Sequence, residues 1–208
     1  MGDGGGAAGC LALSVLICVH LWLIPLSVAL PEQLCLHCGL CCDGTLFRDV
    51  ELQPGDDADK LRALGLTIPV PSSGFRVLSF RQPCVALCSD LHCRVYADRP
   101  ARCREFECAL FKAVAAGKTE LPAALKTIHQ TRQQAEKVRR LLRELGDVGE
   151  RVSLARRFKR VKRKFDAGEL PAGLDAETAY DRFADLSLAV HELDMRLRAK
   201  FHPDPSDG

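Results

Sequence analysis

The chain has 208 residues, 47% of them hydrophobic, and sets 29 Lys and Arg against 27 Asp and Glu for a formal net charge of +2. That length suits one compact domain, or one small domain with a helical appendage. The near balance of charge, few aromatics for base stacking and no nucleic-acid motif leave no firm nucleic-acid signal. Eleven cysteines are the outlying count, and none falls in the last hundred residues, so the chemistry is expected in the front half.

From Gly4 to Pro31 no side chain is charged, and residues 10–30 match the roughly 20 residues of a membrane span. A signal peptide would carry Lys or Arg near its start, where this chain has Asp3, although Ser27-Val28-Ala29 could pass as a cleavage site. Export would also place the thiols in an oxidising compartment, against a labile iron site. Residues 1–30 therefore read as an apolar leader, either dispensable or in membrane contact through 10–30, ahead of a cytoplasmic protein. Gly4, Gly6 and Gly9 satisfy G-x-G-x-x-G only within a low-complexity run with no strand before it.

Next comes Cys35-Leu36-His37-Cys38-Gly39-Leu40-Cys41-Cys42, four thiols in eight residues. Thiols two residues apart are expected across a tight turn, where both thiolates of a C-x2-C unit reach one ion. Gly39 would let the backbone turn there without a side-chain clash. Adjacent Cys41 and Cys42 would pair with each other only under strain, which favours a metal over a disulfide framework. The x2, x2 spacing is that of the first three ligands of a bacterial ferredoxin run, but Thr45-Leu46 stands where that run has its Cys-Pro. A fourth ligand must come from elsewhere, and soft thiolates suit zinc, iron and an iron-sulfur cluster alike. Residues 45–52 and 75–80 alternate as short strands. Asp56 to Leu64 reads as a short helix ending at Gly65, and Pro69 to Gly74 as a turn.

Five more cysteines follow at Cys84, Cys88, Cys93, Cys103 and Cys108. Asp98 as N-cap, Pro100 in the first turn and Gly117 as terminator predict one helix over Arg99 to Ala116. On it Cys103 and Cys108 would stand roughly 140° apart and could not face one ion without distortion. Arg99, Arg102 and Arg104 would lower the neighbouring thiol pKa values, or be solvated helix residues. His37 and His92 adjoin cysteines, yet with so many thiols available both are expected to be outside the ligand set or exposed. Tyr96 is expected to cover the site with an apolar ring.

C-x2-C-x2-C-C at Cys35 to Cys42, followed by Cys84-Val-Ala-Leu and by Cys93-Arg-Val-Tyr96-Ala-Asp-Arg99-Pro100-Ala-Arg-Cys103-Arg104-Glu-Phe-Glu-Cys108, resembles the zinc- or iron-chelating cysteine-cluster proteins, also called YkgJ-like. The resemblance spans about Leu34 to Gly117. It implies a metal ion held by Cys35, Cys38, Cys41, Cys42, Cys84, Cys93, Cys103 and Cys108, with Cys88 outside the pattern. Flagellin lysine N-methylases look similar in their cysteine cluster, which gives S-adenosylmethionine-dependent methyl transfer as an alternative. No recognisable S-adenosylmethionine loop accompanies the cluster, so neither enzyme status nor a catalytic residue is assigned. A thiol-disulfide redox sensor, with Cys41 and Cys42 exchanging partners, is a second alternative.

After Gly117 the composition turns to helix formers. Thr119 can cap a helix running to Gly146 with Leu121, Leu125, Ile128, Ala135 and Leu142 on one stripe. A second helix from about Glu150 to Phe165 aligns Leu154, Phe158, Val161 and Phe165; a third, after Asp175, carries Ala179, Phe183, Leu186, Val190, Leu193 and Leu197. The middle helix places Arg151, Arg156, Arg157, Lys159, Arg160, Lys162, Arg163 and Lys164 around its polar circumference, with no acid among them. Its default reading is a solvated basic face over 151–164, the alternatives being a phosphate, an anionic membrane or an acidic partner. The expected fold is α+β and helix-rich: a small metal-stapled cysteine domain with short strands over 31–117, then a helical hairpin or bundle over 118–208.

Overall fold

The computed structural model describes residues 30–70 and 77–202. The apolar leader and its membrane contact lie outside these residues up to position 29, as does most of the turn expected at Pro69 to Gly74. Among the described residues no helix is long and apolar enough to cross a membrane. The architecture is α+β and helix-rich: α1 (Leu30–Cys38), β1 (Asp49–Glu51), α2 (Ala58–Ala63), β2 (Ser79–Arg81), a 3-10 turn at Tyr96–Asp98, α3 (Ala101–Glu105), α4 (Ala109–Ala115), α5 (Leu121–Glu144), α6 (Leu154–Asp166) and α7 (Ala176–Lys200).

The two short strands pair antiparallel, Val50 opposite Phe80, and both side chains are buried. Asp57 caps α2 by accepting the Lys60 amide, and Gly65 follows at φ +93°, the left-handed conformation that favours glycine after a helix. Val50 and Phe80 join Leu61, Ile68, Ala86 and Val95 in a small apolar cluster.

The larger cluster belongs to the helices. α5 packs along α7, and α6 and α1 lie against α5. Ile128, Ala135 and Leu142 of α5, Val161 and Phe165 of α6 and Leu186 and Leu193 of α7 are buried together, as their helical spacing anticipates. Leu34 of α1, Leu40 and Leu110 of α4 enter this same cluster. Thr119 does not cap α5; its amide is taken by the Ala113 carbonyl at 3.2 Å, and Glu120 occupies the N-cap.

The basic helix departs from its expected polar circumference. Arg157 is 2% exposed, and its guanidinium donates to Asp147 Oδ1 at 2.9 Å and to the Asp147 carbonyl at 2.8 Å. Arg160 donates to Asp147 Oδ2 at 2.7 Å, and Arg156 to Asp49 Oδ2 at 2.6 Å. Lys162 meets Asp166 one turn on at 2.8 Å. Half of the eight basic residues are thus met by acids, two of which lie outside the helix. The turn built on Asp147 also delays the helix from the expected Glu150 to Leu154, whose amide donates to the Gly44 carbonyl at 3.0 Å. Gly44 has φ +78°, and a Cβ on it would lie 2.9 Å from the Ser153 Cα, so the cysteine turn and the start of α6 approach as closely as backbone permits.

Removing one partner of a buried ion pair leaves the other charge uncompensated, so Asp147→Ala is expected to cost about 3 to 5 kcal/mol. The exposed Arg198–Asp194 pair contributes under about 1 kcal/mol, so Arg198→Ala should be nearly neutral. Urea denaturation of both variants checks the contrast, and equal midpoints would contradict it.

Candidate metal centre

Cys35 and Cys38 are not in a loop but on the last turns of α1, where residues three apart share a face and serve a C-x2-C unit as well as a turn would. The chain leaves the helix through Gly39 at φ +68°, and the Gly39 carbonyl accepts the amides of Cys42 and Asp43, both at 2.9 Å. This tight turn presents Cys41 and Cys42. The Cys84 amide donates to the Cys42 carbonyl at 2.7 Å, which brings the second motif against the first. Cys93 follows the loop after Cys84, held by its bridge to Leu87 and by the Arg94 amide donating to the Ala86 carbonyl at 2.8 Å.

The single helix expected over Arg99 to Ala116 is broken. α3 ends at Glu105, Phe106 is extended, and Cys108 caps α4, its sulfur accepting the Phe111 amide at 3.4 Å. Asp98 is not the N-cap; Pro100 takes that position, and the Ala101 amide is accepted by Asp56 Oδ1 at 2.8 Å. The break removes the 140° constraint. Cys103 packs with Cys84 and Cys93 against the small strand cluster, whereas Cys108 packs with Cys38 against the helical cluster. Phe106, at the break, meets Phe47 edge to face with centroids 4.8 Å apart.

All eight cysteines of the motif line one cavity of about 540 Å³, walled otherwise mainly by apolar side chains such as Leu46, Phe47, Leu91 and Phe106. Cys88, His37 and His92 are not among its lining residues, and both histidines are exposed. Tyr96 lines the cavity but is 38% exposed, with the Arg99 guanidinium 3.5 Å from its ring centroid. Gln82, another lining residue, buries its Oε1 without a partner among the described residues. The cysteines from Cys38 to Cys108, Cys88 aside, are thiols rather than disulfides.

Burial dominates the electrostatics. It pushes the Cys38 thiol up to about 12 from an ordinary 9.0, with Cys108 and Cys35 adding repulsion. Cys41 stands well above its ordinary value for the same reason, reinforced by Cys38, Cys42, Cys108 and Cys35. Cys42 is raised strongly by burial and then by Cys84, Cys103 and Cys93. Cys103 rises to about 12 through burial, Cys84 and Cys93, and Arg99 only partly offsets this. Burial also raises Cys84 and Cys108. The expected lowering by arginine is therefore overridden: Arg99 and Arg94 act in that direction but lose to desolvation. Arg104 donates to the Arg99 carbonyl, and Arg102 is exposed.

Sequence spacing did not point to the arginines of α5. Arg132 Nη1 donates to the Cys38 carbonyl at 2.9 Å, and Arg139 Nη2 to Asp43 Oδ2 at 2.8 Å and Thr45 Oγ1 at 3.0 Å. They are seven residues apart, two turns along one face, and that spacing beside a buried stripe was the available signal. Together they clamp the cysteine turn onto α5.

The donor set suits a soft thiophilic cation: many thiols, little competing oxygen, and no neighbouring charge sufficient to ionise them. Among the described residues no three Cys, His, Asp or Glu side chains stand together at positions that hold an ion. The family pattern CxxCxxCC, described as "Putative zinc- or iron-chelating domain", matches residues 34–138. The chain belongs to this family. No curated protein and no solved structure gives a significant match.

The matched region ends within α5, including Arg132 and stopping one residue before Arg139. Arg139→Ala, which removes a half-buried ion pair while sparing every thiol, should cost about 1.5 to 3 kcal/mol, read as a lower urea midpoint; an unchanged midpoint would rule the clamp out. Metal-free, the fold keeps Cys38 and Cys103 protonated up to about 12 while unfolded thiols ionise near 9.0. That contribution is full below about 9 and is lost as pH rises towards 12, so the metal-free chain should weaken between about pH 9 and about pH 12. Bound thiolates reverse the sign, and with zinc present stability should be lost instead as pH falls. Denaturation at both pH values with zinc or with chelator checks the crossing.

Proposed function

We propose that this chain chelates zinc or iron through the thiolates of its eight motif cysteines, as a structural, storage or accessory metal site in a reducing compartment such as the cytoplasm. The observation that carries the reading is the convergence of all eight on one apolar cavity. No core of this size gains from eight sulfurs, whereas cation-bound thiolates remove both the burial penalty and their mutual repulsion. Membership of the chelating family supports the same reading.

The test is the metal content of the full chain purified anaerobically, measured with acid-labile sulfide. Zinc or iron in whole-number ratio to chain is expected, sulfide accompanying iron if a cluster forms; a folded chain that takes up neither metal would end the proposal. Cys38→Ser should lower metal content and the thermal midpoint together, because ligation and folding are coupled here. A variant with wild-type metal and wild-type midpoint would remove Cys38 from the ligand set. A redox sensor would instead show reversible thiol loss in metal-free protein.

A further inference from the structure

We infer that the eight cysteines form two separate four-thiolate metal sites rather than one, the first from Cys35, Cys38, Cys41 and Cys108 and the second from Cys42, Cys84, Cys93 and Cys103. This rests on the chelation reading above and specifies its stoichiometry and partition.

Geometry divides the thiols. Cys38 and Cys108 pack on the helical cluster, with α1 lying along α4. Cys84, Cys93 and Cys103 pack on the strand cluster, a different apolar core. The Cys41–Cys42 dipeptide lies at the junction. Leu40, just before it, is wholly buried in the helical core. The Cys42 carbonyl, by contrast, takes the Cys84 amide at 2.7 Å. The helix break at Phe106 completes the division, since it releases Cys108 from the frame that carries Cys103.

Each set supplies four thiolates, the complement that a structural zinc takes. A single ion would leave the other four cysteines lining the same cavity with no cation.

Adjacency of Cys41 and Cys42 then has a purpose. Strands and tight turns send neighbouring side chains in different directions, so two adjacent cysteines suit two ions better than one. The first site would tie α1 to α4, and the second would tie the loop after β2 to α3, so each ion staples a different core to the shared turn.

The test uses the full chain, metal-free, with zinc ions as the probe and native mass spectrometry as the readout. Two zinc ions per chain are expected at saturation. Cys38→Ser with Cys108→Ser should hold one, Cys84→Ser with Cys103→Ser should hold one, and Cys38→Ser with Cys103→Ser should hold none tightly. Saturation of the wild type at one zinc, or loss of both ions from either of the first two variants, would overturn the partition while leaving chelation intact. Uptake of neither zinc nor anaerobically added ferrous iron would overturn chelation itself. A second measurement needs no variant: wild type with substoichiometric zinc is alkylated and its cysteines mapped by mass spectrometry. Protection should rise together within Cys35, Cys38, Cys41 and Cys108, or within Cys42, Cys84, Cys93 and Cys103. Protection rising equally and in correlation across all eight in single molecules would contradict two sites.

Discussion

Desolvation of clustered thiols is the constraint on which the front half of this protein depends. A buried thiolate without compensating charge is costly, and several within reach of one another are more so. The chain nevertheless brings eight cysteines to one apolar cavity and supplies few cationic side chains to meet them; Arg99 and Arg94 offset only part of the burial. A divalent or trivalent cation resolves that conflict at once. On the proposed function its ligation would also supply cohesion that a two-stranded sheet and four short helices lack.

The helical half is the complementary part of the design. Its core of Ile128, Leu142, Leu186 and Leu193 is one continuous apolar cluster. α1 lays Leu34 into that core and α5 grips the cysteine turn through Arg132 and Arg139. The buried Arg157–Asp147 pair fixes the start of α6, whose first amide holds Gly44 at the end of the same turn. One side of the cysteine cavity therefore rests on the large helical core and the other on the small strand core.

Much of this was legible in the residues. The short strands around Val50 and Phe80, the short helix ahead of Gly65 and the three striped helices follow from spacing and period. What was not legible depended on contacts distant in sequence. The break at Phe106 leaves a helical pattern of side chains intact, and only its packing on Phe47 and the capping role of Cys108 reveal it. Arg157 reads as one more exposed base because its partner Asp147 lies ten residues earlier in a turn. The thiol pKa directions reversed for a similar reason: neighbouring arginines are visible in sequence, and depth of burial is not.

The most direct test of a cysteine-held metal is X-ray absorption at the edge of whichever metal the anaerobically purified full chain retains. A first coordination shell made of sulfur alone is the predicted result. A shell dominated by nitrogen or oxygen would contradict the thiolate assignment, whatever the amount of metal bound.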